Sequence, residues 1–155
     1  LISHLAVLSG QRQIVDLVEQ ADDAAVSTDM PGRTGEEIRW QAHEAADTSG
    51  EIALDALLPA PAEYAVAYAA TELRAAEAGP AWLHVETDDG AALWVNGAEL
   101  LRSREKVDRL VPVQLAQGPN RVLLKVANRR GRWRCRLRVV DAVGARFEGV
   151  TNAMP

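Results

Sequence analysis

The sequence predicts an all-β protein: an antiparallel β-sandwich of the jelly-roll type with one short N-terminal helix. Two observations carry this. From Tyr64 onward, apolar and polar residues alternate with a period of two, the repeat of a strand with one face buried. Glycine, asparagine, aspartate and proline interrupt the alternation at roughly 8–12-residue intervals, the turn spacing of a sandwich.

Taken in order, Ile2 to Leu8 is short and apolar, stops at Ser9-Gly10, and reads as a strand. In Gln11 to Ala25, Ile14, Leu17, Val18 and Ala21 recur at helical spacing, with Asp16, Glu19 and Gln20 off the stripe. That pattern predicts a helix. Ser27 to Glu37 contains Pro31-Gly32 and Gly35 and reads as a loop. Ile38 to His43 fits a short strand, Asp47 to Gly50 a turn, and Ile52, Leu54 and Leu57 one helical turn before Pro59. Tyr64 to Leu73 is a long strand and Ala78-Gly79-Pro80 a turn. In Trp82 to Thr87, Leu83 and Val85 lie on one face and Trp82, His84 and Glu86 on the other.

Asp88-Asp89-Gly90 turns the chain into a strand over Ala91 to Val95. Asn96-Gly97 then predicts a two-residue hairpin, because both residues tolerate positive φ. Val107 to Leu115 is extended, and Pro112 within it points to an edge strand. Gly118-Pro119-Asn120 reads as a turn, Arg121 to Ala127 as a strand and Asn128 to Gly131 as a turn. Trp133, Cys135, Leu137 and Val139 then alternate with Arg132, Arg134, Arg136 and Arg138, and a last short strand falls near Arg146–Val150. Residues 1–37 form an N-terminal strand, helix and loop, read either as the start of the sandwich or as the tail of a preceding domain. Residues 38–155 form the sandwich module.

With 155 residues, 48% of them hydrophobic and 25% charged, the composition is that of one globular domain. No apolar run approaches the ~20 residues of a membrane helix. The single cysteine, Cys135, excludes an internal disulfide and a multi-thiolate metal centre. The first residues carry no signal-peptide pattern, and the sequence reads as a piece of a longer protein. Charge is unevenly placed: residues 1–100 hold 18 Asp/Glu against 4 Arg, and residues 101–155 hold 13 Arg/Lys against 4 Asp/Glu. Either the basic strands pair with acidic ones inside one fold, the preferred reading, or they form a polyanion surface.

Three segments resemble known modules: Thr87 to Gly97, with its Asp-Asp-Gly turn and Asn-Gly hairpin; Val111 to Val126; and Gly131 to Arg138. Together they are similar to the galactose-binding-domain-like jelly-roll modules appended to large bacterial proteins. They are similar also to the protective-antigen-type adhesion domain. The resemblance covers about residues 38–144. Leu8 to Arg12 departs from the Gly-Pro-Phe opening of such modules. The resemblance implies a non-catalytic role, either carbohydrate binding or packing against other domains of the parent chain, and it favours an extracellular or periplasmic setting. In the adhesin relatives the paired carboxylates, here Asp88 and Asp89, bind calcium.

The residue chemistry agrees with a non-enzyme. Only three histidines are present, and His84-x-Glu86 lacks the Pro-Cys-x-x-Cys partner of a zinc deaminase. No Gly-x-Ser-x-Gly, His-Glu-x-x-His or phosphate loop occurs. Asp88 and Asp89 are hard oxygen donors of the type calcium prefers, and equally good turn formers. Trp82 shares a polar face with His84 and Glu86, which suits a sugar platform or an interdomain contact. Arg132, Arg134, Arg136 and Arg138 form a ladder at ~6.6–6.8 Å steps, with Arg129, Arg130 and Lys125 placed nearby by the sequence. It is read as a surface for anionic ligands or as one half of cross-strand ion pairs. With no nucleic-acid fold signature and an overall charge of −5, nucleic acid is not an expected partner.

Overall fold

A computed structural model describes residues 4–8, 40–42, 49–56, 65–141 and 150–153. The strands are β1 (His4–Leu8), β2 (Trp40–Ala42), β3 (Glu51–Ala53), β4 (Ala65–Ala75), β5 (Gly79–Thr87), β6 (Ala91–Val95), β7 (Ala98–Ser103), β8 (Val107–Leu115), β9 (Gly118–Asn128), β10 (Arg134–Val140) and β11 (Val150–Ala153). One 3-10 turn, Leu54–Ala56, follows β3. Every pairing is antiparallel. The larger sheet runs β2-β1-β4-β9-β6-β7, and the smaller β3-β10-β5-β8. β9 occupies one edge of β4 along its whole length, so β1 and β11 share the other edge, end to end. The sheets enclose one core, to which the larger contributes Ala67, Ala69, Leu93, Leu124 and Val126, and the smaller Leu83, Val85, Val111, Cys135 and Leu137.

The all-β sandwich is as the sequence predicts. The helix expected over residues 11–25 and the loop after it lie outside the described residues, as does most of the last strand expected near Arg146–Val150; β11 begins at Val150. The strands over 91–95 and 107–115 have the expected bounds. Asn96 (φ 51°) and Gly97 (φ 82°) close the β6–β7 hairpin, with Val95 opposite Ala98. Pro112 sits on β8, an edge strand of the smaller sheet, where a missing N–H costs no ladder bond.

Two expected turns are absorbed into strands. Gly79-Pro80 begins β5, and Gly118-Pro119-Asn120 begins β9, which pairs back to Arg74 and Ala75. The reversal before β9 falls instead at Ala116-Gln117, with Gly118 at φ 86°. Gly90 is required for a different reason: a Cβ there would lie 2.9 Å from the Ser103 carbonyl oxygen. Its own carbonyl accepts the Ala127 N–H at 2.8 Å, pinning the Asp-Asp-Gly turn to β9.

Candidate ligand-binding face

Strict alternation along β5 buries Ala81, Leu83, Val85 and Thr87 and leaves Trp82, His84 and Glu86 half-buried on the outer face of the smaller sheet. Along β10 it buries Cys135 and Leu137 and leaves Arg134, Arg136 and Arg138 outward. Directly opposed residues of an antiparallel pair share a face. The register therefore sets Arg136 beside Glu86 and Arg138 beside His84 from one side, and Asp108 beside Glu86 and Leu110 beside His84 from the other.

These neighbours interlock. Arg136 Nη2 donates to Glu86 Oε1 at 2.7 Å, and its Nε lies 2.7 Å from Oε2. Arg134 donates through Nε to both oxygens of Asp88 (2.9 and 3.2 Å) and through Nη1 to Glu51 (3.2 Å). Arg138 Nη2 is 2.7 Å from His84 Nδ1 and 3.5 Å from Glu86 Oε2. His84 Nε2 is 2.8 Å from Asp108 Oδ1. A guanidinium can only donate, so Nδ1 accepts from Arg138 and the ring proton sits on Nε2, directed at Asp108. That hydrogen bond holds the Asp108 carboxyl below its usual range. The acidic and basic segments thus meet as cross-strand ion pairs, the preferred of the two readings of the charge asymmetry.

The donors of His84, Glu86 and Asp108 lie within 4.8 Å of one another, close enough to consider a metal ion. The surroundings oppose one: two guanidiniums already hold Glu86, and the His84 nitrogen facing Asp108 carries a proton. Asp88 and Asp89 point to separate tasks. Asp88 takes Arg134, and Asp89 Oδ2 accepts the Arg129 N–H at 2.9 Å, while Thr87 Oγ1 donates to the Asp89 carbonyl at 2.6 Å. A cation at this turn has to compete with Arg134 for Asp88.

Of the residues singled out from the sequence, Trp82, His84, Glu86, Arg134 and Arg136 come together on this face, with Asp88 at its end. Arg132 does not; it is exposed in the turn ahead of β10. Lys125 also lies elsewhere, on β9 of the larger sheet, buried with its ammonium 5.5 Å from the Tyr68 ring centroid. Burial lowers Lys125 to about 8 and raises Tyr68 to about 12. Trp133 is fully buried in the core and Trp94 is buried beneath Arg102. Asp108, Glu51 and Arg138 complete the network. Arg138 was visible in the ladder, and Asp108 in the outward phase of β8, but their partners depend on strand order.

The remainder of the face is apolar. Trp82 stands opposite Pro112 and Val140, and Leu110, opposite His84, is 42% exposed. Between Glu51, Asp88, Lys106 and Arg134 lies a cavity of about 70 Å³, room for a few waters.

No family model and no curated protein matches the chain. Solved structures do. An anti-sigma factor domain-containing protein from Clostridium clariflavum matches with a TM-score of 0.59 and 12% identity, covering 99% of this chain and 47% of that one. A β-glucosidase from Kluyveromyces marxianus in complex with glucose matches with a TM-score of 0.60 and 11% identity, covering 90% of this chain and 16% of that one. A PA14 sugar-binding domain from an RTX adhesin matches with a TM-score of 0.47 and 21% identity, covering 58% and 52%. At these identities the likeness is one of fold: this is a β-sandwich domain. The chain spans about half the length of the first protein and about a sixth of the second.

Proposed function

We propose that this domain is a non-catalytic accessory module of a larger bacterial protein that binds carbohydrate on the outer face of its smaller sheet. One observation carries the reading: half-buried Trp82 stands in line with His84 and Glu86, beside arginines held in fixed orientation by ion pairs. An aromatic flank for the C–H face of a sugar ring, next to planar groups that exchange hydrogen bonds with hydroxyls, is the chemistry of sugar recognition. Prior ion pairing keeps the polar groups ordered before a ligand arrives, which reduces the entropy lost on binding. The fold also occurs as one part of longer chains, among them the β-glucosidase seen with glucose. The residues offer little to catalysis: the ladder carboxylates are held in ion pairs with the arginines, and burial pushes the Cys135 thiol up to about 12, away from the reactive thiolate.

A glycan array, run with and without calcium, tests this. Binding to a defined neutral sugar that Trp82→Ala abolishes is expected. Calcium dependence would bring the Asp88-Asp89 turn into the site. The exposed Leu110 beside Pro112 and Trp82 favours a second reading, a contact with another domain of the parent chain. An empty array, with protection of Leu110 from exchange only in the longer protein, is the result that would favour it. The third reading, a polyanion surface, is weakened by the carboxylates that already occupy Arg134 and Arg136.

A further inference from the structure

The His84 ring lies between a group that must donate and a group that must accept, so its protonation state governs more than its own charge. Among the described residues, the charged groups around it are Glu86 on its own strand, Arg136 and Arg138 from β10, and Asp108 from β8, with Lys106 acting on Asp108. With a neutral ring, Arg138 Nη2 donates to Nδ1 across 2.7 Å. A second proton can enter only at Nδ1, because Nε2 already carries one toward Asp108. Nδ1–H and the guanidinium would then be two donors, both positively charged, face to face. Glu86 Oε2, 3.6 Å from Nδ1, is the acceptor in reach.

We infer that protonation of His84 ejects Arg138 from its contact with Nδ1 and converts the Trp82 end of the face into a site for a carboxylate-bearing sugar. The imidazolium bridges Asp108 and Glu86, and Glu86 keeps Arg136. Arg138, whose other contact is the longer one to Glu86 Oε2 at 3.5 Å and whose side chain is already 42% exposed, is the group that moves. Its strand neighbour Val140 stands opposite Trp82, so Arg138 is diagonal to the aromatic ring on the same face, within reach of a long side chain. A planar fork next to a flat aromatic suits a uronic acid: the carboxylate meets the guanidinium in a two-bond arrangement while the ring stacks. Imidazoles change charge between pH 5 and 8, whereas a uronate stays ionised there, so the ligand does not titrate with the switch.

The switch itself rests on geometry alone; the ligand class rests on the carbohydrate reading. Two measurements separate them. Side-chain nitrogen NMR of the unliganded protein, from pH 7.5 to 5.5, should show the Arg138 guanidinium signals changing with the His84 ring, and remaining fixed in His84→Gln. Trigalacturonate binding, followed by calorimetry, should strengthen about tenfold over the same range. It should stay flat in His84→Gln and be lost at pH 5.5 in Arg138→Gln, while neutral maltotriose shows no pH dependence. Arg138 signals indifferent to His84 titration would overturn the switch and leave neutral-sugar binding untouched. A responsive Arg138 with no binding of either sugar at either pH would overturn the ligand assignment together with the carbohydrate reading.

Discussion

Asn120 is fully buried and its amide is in use on every side. Its Nδ2 donates to the carbonyls of Ala116 (2.8 Å), Gly118 (3.1 Å) and Leu73 (3.4 Å), and its Oδ1 accepts from the Ala116 N–H and from Asn96 Nδ2, both at 2.9 Å. Asn96 in turn accepts the Arg121 N–H at 2.9 Å. One side chain therefore ties the β6–β7 and β8–β9 reversals to strand β4. Asn120→Ala leaves buried backbone groups without partners, each worth about 1–3 kcal/mol, and should lower the unfolding free energy in urea by at least ~2 kcal/mol. A loss within ±0.5 kcal/mol would refute that role. The sequence marks Asn120 only as a turn former, since its partner Leu73 is 47 residues away. The ladder arginines behave differently. Arg136 and Glu86 are part-exposed, so Arg136→Gln should cost ~0.2–1 kcal/mol, more in low salt than in high salt. A variant as stable as the parent in low salt would mean that the pair contributes nothing.

Among the elements, the β6–β7 hairpin depends most on residue type. Asn96 and Gly97 both adopt positive φ, a region a β-branched residue resists. Gly97→Val should destabilise the domain by more than ~1 kcal/mol, and an unchanged melting temperature would contradict the turn. This element was legible because its signal is local. So were the faces of β5 and β10, where period-two alternation separates Trp82, His84 and Glu86 from Leu83 and Val85. Which strands lie side by side was not legible. The order β3-β10-β5-β8 brings Glu51, Glu86 and Asp108 to the arginines, and no spacing in the chain encodes it. Lys125 was misplaced for the same cause: its strand looks like its neighbours but belongs to the other sheet. Arg132 had the right phase for the ladder, yet β10 begins after it. Gly79-Pro80 and Gly118-Pro119 carried turn chemistry that strand pairing overrode.

At the scale of the whole molecule, each sheet carries a different kind of outer face. That of the larger sheet buries Tyr68, Trp94, Leu123 and Lys125. Desolvation lowers Lys125 from 10.5 to about 8, so the unfolded chain binds more protons between these values and stability rises with pH across that window. Cys135, pushed up from 9.0 to about 12, and Tyr68, from 10.0 to about 12, act in the opposite sense above pH 9 and 10. The lysine is therefore isolated by difference: relative to Lys125→Met, the parent should gain stability from pH 8 to 10.5. A pH-independent difference would show that the lysine is not desolvated. The smaller sheet presents the open, ion-paired face, and the claim that it binds sugar is tested most directly by the tryptophan indole signals of the 15N spectrum. On addition of an array-positive sugar, the Trp82 indole should shift in a saturable way while those of Trp94 and Trp133 stay fixed. A saturable shift at other sites with Trp82 unmoved would contradict it.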